Sequence, residues 1–287
     1  TSVPDFISTL GYRDTTDPLS VSTGNPLLHK SHSHTTTYNY HRMWLRKQIV
    51  LGLNVSYNKD INPIATLYRY NSTTGAYESK PMNVKGGNMW KFGVNYDQGI
   101  GVYFRLMNKF KVLTSKSYGF LTIVDNNDPN AVPDLNLQKR LGIDENMELS
   151  YEAEKVQLTL FNDLQWNRYR YDDNTYNSSP LYNSLGMSVT LKLSPFEMYI
   201  RLSDDFRKGY ATSEMNGHKL MSMASISYGF CKNKCRLSLF VDDIFNNDIW
   251  YDNNYSAFQR TETTTNYMHH YANLKFSYRF DAKAKKK

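Results

Sequence analysis

No stretch of this 287-residue chain approaches the roughly 20 consecutive apolar residues that a membrane-spanning helix needs, and its mean hydropathy is −0.61. A helical membrane protein is excluded. Nucleophile-elbow patterning of the G-x-S-x-G kind is absent too, which removes the simplest hydrolase reading. Cysteine is scarce, with 2 residues. There is no signal peptide and no initiating Met before Thr1, so the expectation is a mature product or a fragment. Lys and Arg outnumber Asp and Glu, giving +7 and a pI of about 9.1. They are nevertheless scattered along alternating segments rather than gathered on one helix face, which argues against nucleic acid as a partner.

What the chain has in quantity is alternation. From Ala272 onward the even positions are apolar (Ala272, Leu274, Phe276, Tyr278, Phe280), and Asn273, Lys275, Ser277 and Arg279 lie between them. Successive side chains of a strand point to opposite faces, so this segment is apolar on one side and wet on the other. The pattern suits an outer-membrane barrel, apolar toward lipid and polar toward the lumen, and alternation keeps the mean hydropathy of such a segment low. The 23 Tyr and 14 Phe are what interfacial aromatic girdles require.

Residues Thr1 to Lys30 show turn chemistry, with Asp17-Pro18 and Gly24-Asn25-Pro26, and no strand is expected there. Thr36, Tyr38 and Tyr40 then alternate with polar neighbours, and Ile49, Leu51, Leu53, Val55 and Tyr57 give a second, cleaner strand. A polar excursion carries a small hairpin around Asn71 to Gly75. Trp90, Phe92, Val94 and Tyr96 precede an expected turn at Asp97-Gln98-Gly99, and Val102, Phe104, Leu106 and Phe110 belong to the following strand. Leu113 to Asn136 reads as a long connection. Further strands follow on Met147–Tyr151, Val156–Trp166, Leu185–Leu193, Met198–Leu202, Leu220–Phe230 and Leu237–Val241.

The series predicts an all-β, antiparallel transmembrane barrel of about eleven strands, with an arm at 1–33, the barrel portion at 34–280 and a basic periplasmic tail at 281–287. Connections alternate short and long. Turns near Leu45, Gln98, Ala153, Pro195 and Asn233 are expected in the periplasm; loops near Thr73, Asn130, Asn174, Met215 and Tyr255 are expected outside, with the N-terminus. Eleven is an odd number, and single-chain bacterial barrels close with even ones. It is half of the 22 strands of plugged outer-membrane transporters. The expectation is therefore the C-terminal half of such a barrel. The alternatives are a self-closing small porin and a structural barrel subunit of a larger outer-membrane assembly.

The chain resembles the TonB-dependent receptor barrels of Gram-negative outer membranes, in the branch abundant in Bacteroidota. The resemblance rests on Asp17-Pro18-Leu19, Gly24-Asn25-Pro26-x-Leu28, Met82-Asn83-Val84, Asp243-Ile244-Phe245-Asn246 and the terminal Leu274 to Phe280, in that order. It implies a barrel in the outer membrane that imports a large nutrient. Its partners would be the lipid bilayer, an N-terminal barrel half and plug on the same or another chain, TonB acting through the plug, and a surface lipoprotein. Seven residues follow Phe280, where the family commonly stops near the aromatic.

Polar and charged residues on the polar phase are the candidate lumen lining: Lys91, Arg105, Lys109, Asp163, Gln165, Arg201, Asp205, Asp242, Lys275 and Arg279. On a lipid face such charges would cost roughly 2–4 kcal/mol each at the midplane. Loop aromatics Tyr169, Tyr171, Tyr176, Trp250, Tyr251 and Tyr255, with Phe258, are candidates for stacking on a ligand. Cys231 and Cys235 flank a three-residue turn; in an oxidising periplasm they can bridge, and two free thiols are the alternative. A metal gathered by His29, His32, His34, His41 and His269-His270, or calcium at Asp125, Asp128 and Asp134, is weighed against solvated loops and set below it. No cofactor and no enzymatic activity are expected.

Overall fold

Strands rich in β-branched and aromatic residues, each ended by a Gly, Pro, Asn or Lys turn, pair here with their neighbours in sequence. The computed structural model describes residues 3–71, 74–120, 124–125, 135–172, 174–232, 234–246, 250–255, 260–265 and 270–280. Eleven of its strands form one antiparallel meander in chain order. They are β1 (His32–Trp44), β2 (Ile49–Ile61), β3 (Asn88–Ile100), β4 (Phe104–Phe120), β5 (Leu135–Glu152), β6 (Val156–Arg170), β7 (Leu181–Leu193), β8 (Phe196–Lys208), β9 (Gly217–Phe230), β10 (Cys235–Asp242) and β11 (Tyr271–Tyr278). The connections at 45–48, 101–103, 153–155, 194–195 and 231–234 are short and lie at one end. Those at 62–87, 121–134, 171–180, 209–216 and 243–270 are longer and alternate with them. Among the described residues, β1 and β11 each have a single strand neighbour, so the sheet is open at both edges.

Register makes the two faces continuous. One hydrogen-bonded row runs Tyr38, Val55, Phe92, Val112, Ile143, Trp166, Leu181 across seven strands, every member apolar. A row of the other parity runs His41, Gly52, Asn95, Lys109, Asn146, Asp163, Ser184, Asp205, Lys219 across nine. The apolar face is uncovered: Ile200 is 48% exposed, Phe276 61% and Leu274 68%. An exposed apolar surface of this extent marks contact with a membrane or another protein.

Three expectations from sequence need correction. Asp97-Gln98-Gly99 is not a turn: β3 pairs with β4 as far as Ile100↔Phe104, and the reversal is at 101–103, where Gly101 has φ +66° and Val102, expected in the next strand, belongs to the turn. Arg105 holds Asp97 in the ladder with two hydrogen bonds of 2.9 and 2.6 Å. Leu113 to Asn136 is not all connection: β4 runs on to Phe120 and β5 starts at Leu135, the two pairing as far as Phe120↔Leu135. The third concerns the arm. It contains a short helix, Phe6–Thr9, and strands Arg13–Asp14 and Ser20–Thr23, and β1 starts at His32 rather than 34.

The arm is ordered by the first long connection. Ser20–Thr23 pairs in parallel with Ala76–Asn83, which forms the expected hairpin with Ile64–Asn71. Asn83 accepts from the His29 N–H and donates to the His29 and Asn62 carbonyls. Gly24 permits a close crossing, since a Cβ there would lie 1.9 Å from the Leu10 carbonyl oxygen. The underside of this small sheet packs on the outer end of β4: Leu67, Val84 and Phe120 form a buried cluster with Tyr118 and Met82 against it.

Candidate ligand site on the polar face

Alternation and register together place Lys91, Arg105, Lys109, Asp163, Gln165, Arg201, Asp205, Asp242 and Lys275 on the polar face. One row alone runs Arg105, Ser150, Thr159, Ser188, Arg201, Met223, Asp242. Arg279 lies past the end of β11, where its N–H donates to the Lys234 carbonyl. These residues form local networks rather than one centre. Asp205, buried, accepts from the Ser184 hydroxyl at 2.6 Å and the Tyr182 hydroxyl at 3.0 Å. Asn146 donates to Asp163. The Arg201 guanidinium lies 3.9 Å from the centre of the buried Phe161 ring, a cation–π contact on the polar face.

The long connection after β10 supplies a roof. Its hairpin, Trp250–Tyr255 with Arg260–Thr265, reaches back over the polar face. Tyr255 stacks on Tyr169 of β6, with centroids 4.5 Å apart and planes 16° from parallel, and Tyr171 is buried beside them. Tyr251 accepts from Lys219 Nζ at 2.6 Å, donates to the Glu214 carbonyl at 2.9 Å, and carries Arg207 over its ring at 4.8 Å. Tyr176 meets Tyr171 edge-on at 6.3 Å, and Gln138 Nε2 donates to the Tyr171 hydroxyl at 2.8 Å. The loop rings expected to await a ligand are thus largely engaged with one another. The Trp250 side chain and Phe258 lie outside the described residues.

Glu262 fastens this roof. Its carboxylate accepts from the backbone N–H groups of Ala211 and Thr212, from Arg260 Nη2 at 2.6 Å and from the Tyr255 hydroxyl at 2.9 Å. Burial works to raise its pKa, but the bonds from Arg260, the two N–H groups and Tyr255 outweigh it and hold the carboxyl at about 2. Burial also pushes the Tyr255 and Tyr210 hydroxyls above the ordinary phenol range. No sequence signal singled out Glu262, which stands in a run of threonines. Its spacing of two from Arg260, which puts both on one side of a strand, was the available clue.

Between roof and sheet lies a cavity of about 500 Å³. Lys109, Lys111 and Arg140 supply cations, Asp144 and Asp163 carboxylates, and Asn146, Gln165, Asn167, Asn253 and Asn254 amides, with Tyr169 and Tyr255 as the aromatic wall. Such a lining offers donors and acceptors on all sides to a polar solute. Lys109, Asp163, Gln165, Tyr169 and Tyr255 were candidates from sequence; Lys111, Arg140 and the two hairpin asparagines were not.

Both cysteines are free thiols, Cys231 exposed in the left-handed region (φ +52°) and Cys235 buried. The disulfide considered from sequence is not formed. Nor do the histidines gather: His34 and His41 fall on opposite faces of β1, and His270 Nδ1 lies 2.7 Å from the Asp243 carbonyl oxygen. His269, Asp128 and Asp134 lie outside the described residues. Among the described residues no group of three or more His, Cys, Asp or Glu is placed to hold a metal. No protein-family model, curated protein or solved structure matches the chain.

Proposed function

We propose that this chain is the C-terminal half of the barrel of a TonB-dependent outer-membrane transporter, and that it serves as wall and extracellular gate in the import of a large nutrient. The observation that carries the reading is the eleven-stranded antiparallel meander with one apolar face, one polar face and two unpaired edges. A spanning strand needs about 9–11 residues, and β1 to β9 run from 13 to 18. In lipid each unpaired backbone group costs several kcal/mol, so a two-edged sheet calls for another segment to complete it. Eleven further strands would give a 22-stranded wall around a plug. In this arrangement the short connections lie in the periplasm and the arm and long loops outside. The plug reaches TonB, a surface lipoprotein is a further partner, and the roofed cavity is a waiting site for the solute. The chain itself performs binding and passage, not chemistry.

The test is native mass spectrometry of the detergent-extracted complex, together with the intact mass of the polypeptide that carries this sequence. The expected result is a plug and about eleven more strands, on the same polypeptide or on a companion retained through gel filtration. If this chain alone is folded and heat-modifiable, it closes on itself and the small-porin reading replaces this one.

A further inference from the structure

Beyond the upper end of the apolar band, the outward face changes to a field of one charge. Lys59 of β2 lies two positions past Tyr57, and Arg168 of β6 lies two past Trp166, each pair on one face. Register joins Lys59, Asn88, Lys116, Lys139 and Arg170 in one row across five strands, with His34 completing it in β1. At a strand spacing of about 4.8 Å, the row from Lys59 to Arg170 spans roughly 19 Å. The four cations of this row, and Arg168 one step below it, are exposed. None of these five is in an ion pair with a described acidic residue. Asp172, close by in sequence, has its carboxylate engaged by the Leu137 N–H at 3.1 Å.

The field has a floor and an overhang. Below it stand Tyr57 and Trp90, centroids 4.4 Å apart, the kind of ring pair that sits at a membrane surface. Above it Tyr118, two positions past Lys116, carries Lys85 of the arm-bracing connection at 5.4 Å from its ring. Cations facing outward at this level have no use for the polar interior. Their complement is an oxyanion presented from the surrounding leaflet, bound through charge-assisted hydrogen bonds.

We infer that Lys59, Lys116, Lys139, Arg168 and Arg170 form a docking surface for the phosphorylated headgroup of an outer-leaflet glycolipid. The inference rests on the outer-membrane reading above. Each cation removed weakens binding several-fold, and salt weakens it throughout.

The test uses the complete protein as extracted from membranes, in a variant with Lys116→Gln, Lys139→Gln and Arg170→Gln. A control loses three cations at the opposite end of the sheet: Lys47→Gln, Lys155→Gln and Lys192→Gln. The readouts are flotation with vesicles of phosphorylated glycolipid and the glycolipid retained per protein after washing. Retention should fall at least tenfold in the first variant, stay near the native level in the control, and fall for the native protein when the glycolipid is dephosphorylated. Equal retention by the two variants, or equal binding of the dephosphorylated lipid, overturns the docking surface. Displacement of the lipid by stoichiometric inorganic phosphate would assign the cations to the free ion instead. Failure of all three proteins to float overturns the membrane reading itself, a result separable from loss in one variant.

Discussion

Two of the long connections each carry a hairpin of their own, and they are held by opposite means. The hairpin at 64–83 sits on the outer-phase residues of β4 through an apolar cluster, Leu67, Val84 and Phe120, and ties down the N-terminal arm. The hairpin at 250–265 folds over the polar face and is held by the Glu262 carboxylate on the Ala211 and Thr212 N–H groups, by Lys219 and Arg207 on Tyr251, and by the Tyr255–Tyr169 stack. Apolar packing has no titrating group and is not screened by moderate salt, and it is spread over many contacts. A charge-and-hydrogen-bond clamp has a few discrete points of failure. The first hairpin is therefore the sturdier attachment and the second the more readily released.

That contrast breaks most sharply at Leu67, which is 2% exposed. Leu67→Ala should cost about 2–5 kcal/mol, abolishing hydrogen-exchange protection in 64–83 and in Ser20–Thr23 while 250–265 keeps its own. Glu262→Ala comes next. It removes the acceptor of the exposed Ala211 and Thr212 N–H groups, at about 0.5–1.5 kcal/mol for each hydrogen bond lost. It should release the second hairpin and open the roofed cavity to a thiol probe placed at Asn146, with the first hairpin unchanged. Equal loosening of both hairpins by either substitution would end the distinction.

Acid sharpens it further. The Glu262 pKa is lowered on folding, so its contribution is present above the ordinary carboxyl value and is lost as pH falls through about 2. The protection factors of the 250–265 amides, with intrinsic exchange divided out, should be level from pH 8 to 5 and fall only below about pH 4, and those of 64–83 should show no matching step. The smallest effect is Tyr171→Phe. It removes the hydroxyl that accepts from Gln138, worth about 0.5–1.5 kcal/mol, and should appear as slightly faster exchange around Tyr171 with the clamp intact.

The wall was the legible part. Alternation announces itself wherever apolar and polar residues trade places, as in Ile49 to Tyr57, and it yielded eleven strands and the alternation of short and long connections. It went silent where β4 and β5 leave the apolar band: Thr114, Lys116, Ser117 and Lys139 carry no contrast between faces, yet the ladder continues. At Asp97-Gln98-Gly99 turn-forming residues misled, because the Arg105 pairing that keeps them in the strand lies across the hairpin. The strands of the arm were hidden for a related reason. Arg13–Asp14 and Ser20–Thr23 are too short to show a period and exist through the parallel partner at Ala76–Asn83. Membership of the polar face was readable residue by residue. The roof was not, since Glu262 meets Ala211 from 51 residues away.

The row from His41 to Lys219 passes through nine strands without a break in parity, and this restricts how the chain can change in length. One residue added inside β5 turns every later side chain of that strand to the other face, carrying Asp144 and Asn146 into the apolar layer and Met147 and Leu149 out of it. Two residues added restore the faces and merely shift the strand by one step. Irregular connections such as 209–216 obey no such rule. Length changes within the wall must therefore come in even numbers, or as a bulge that absorbs the odd residue, while the loops above it are free to vary one residue at a time.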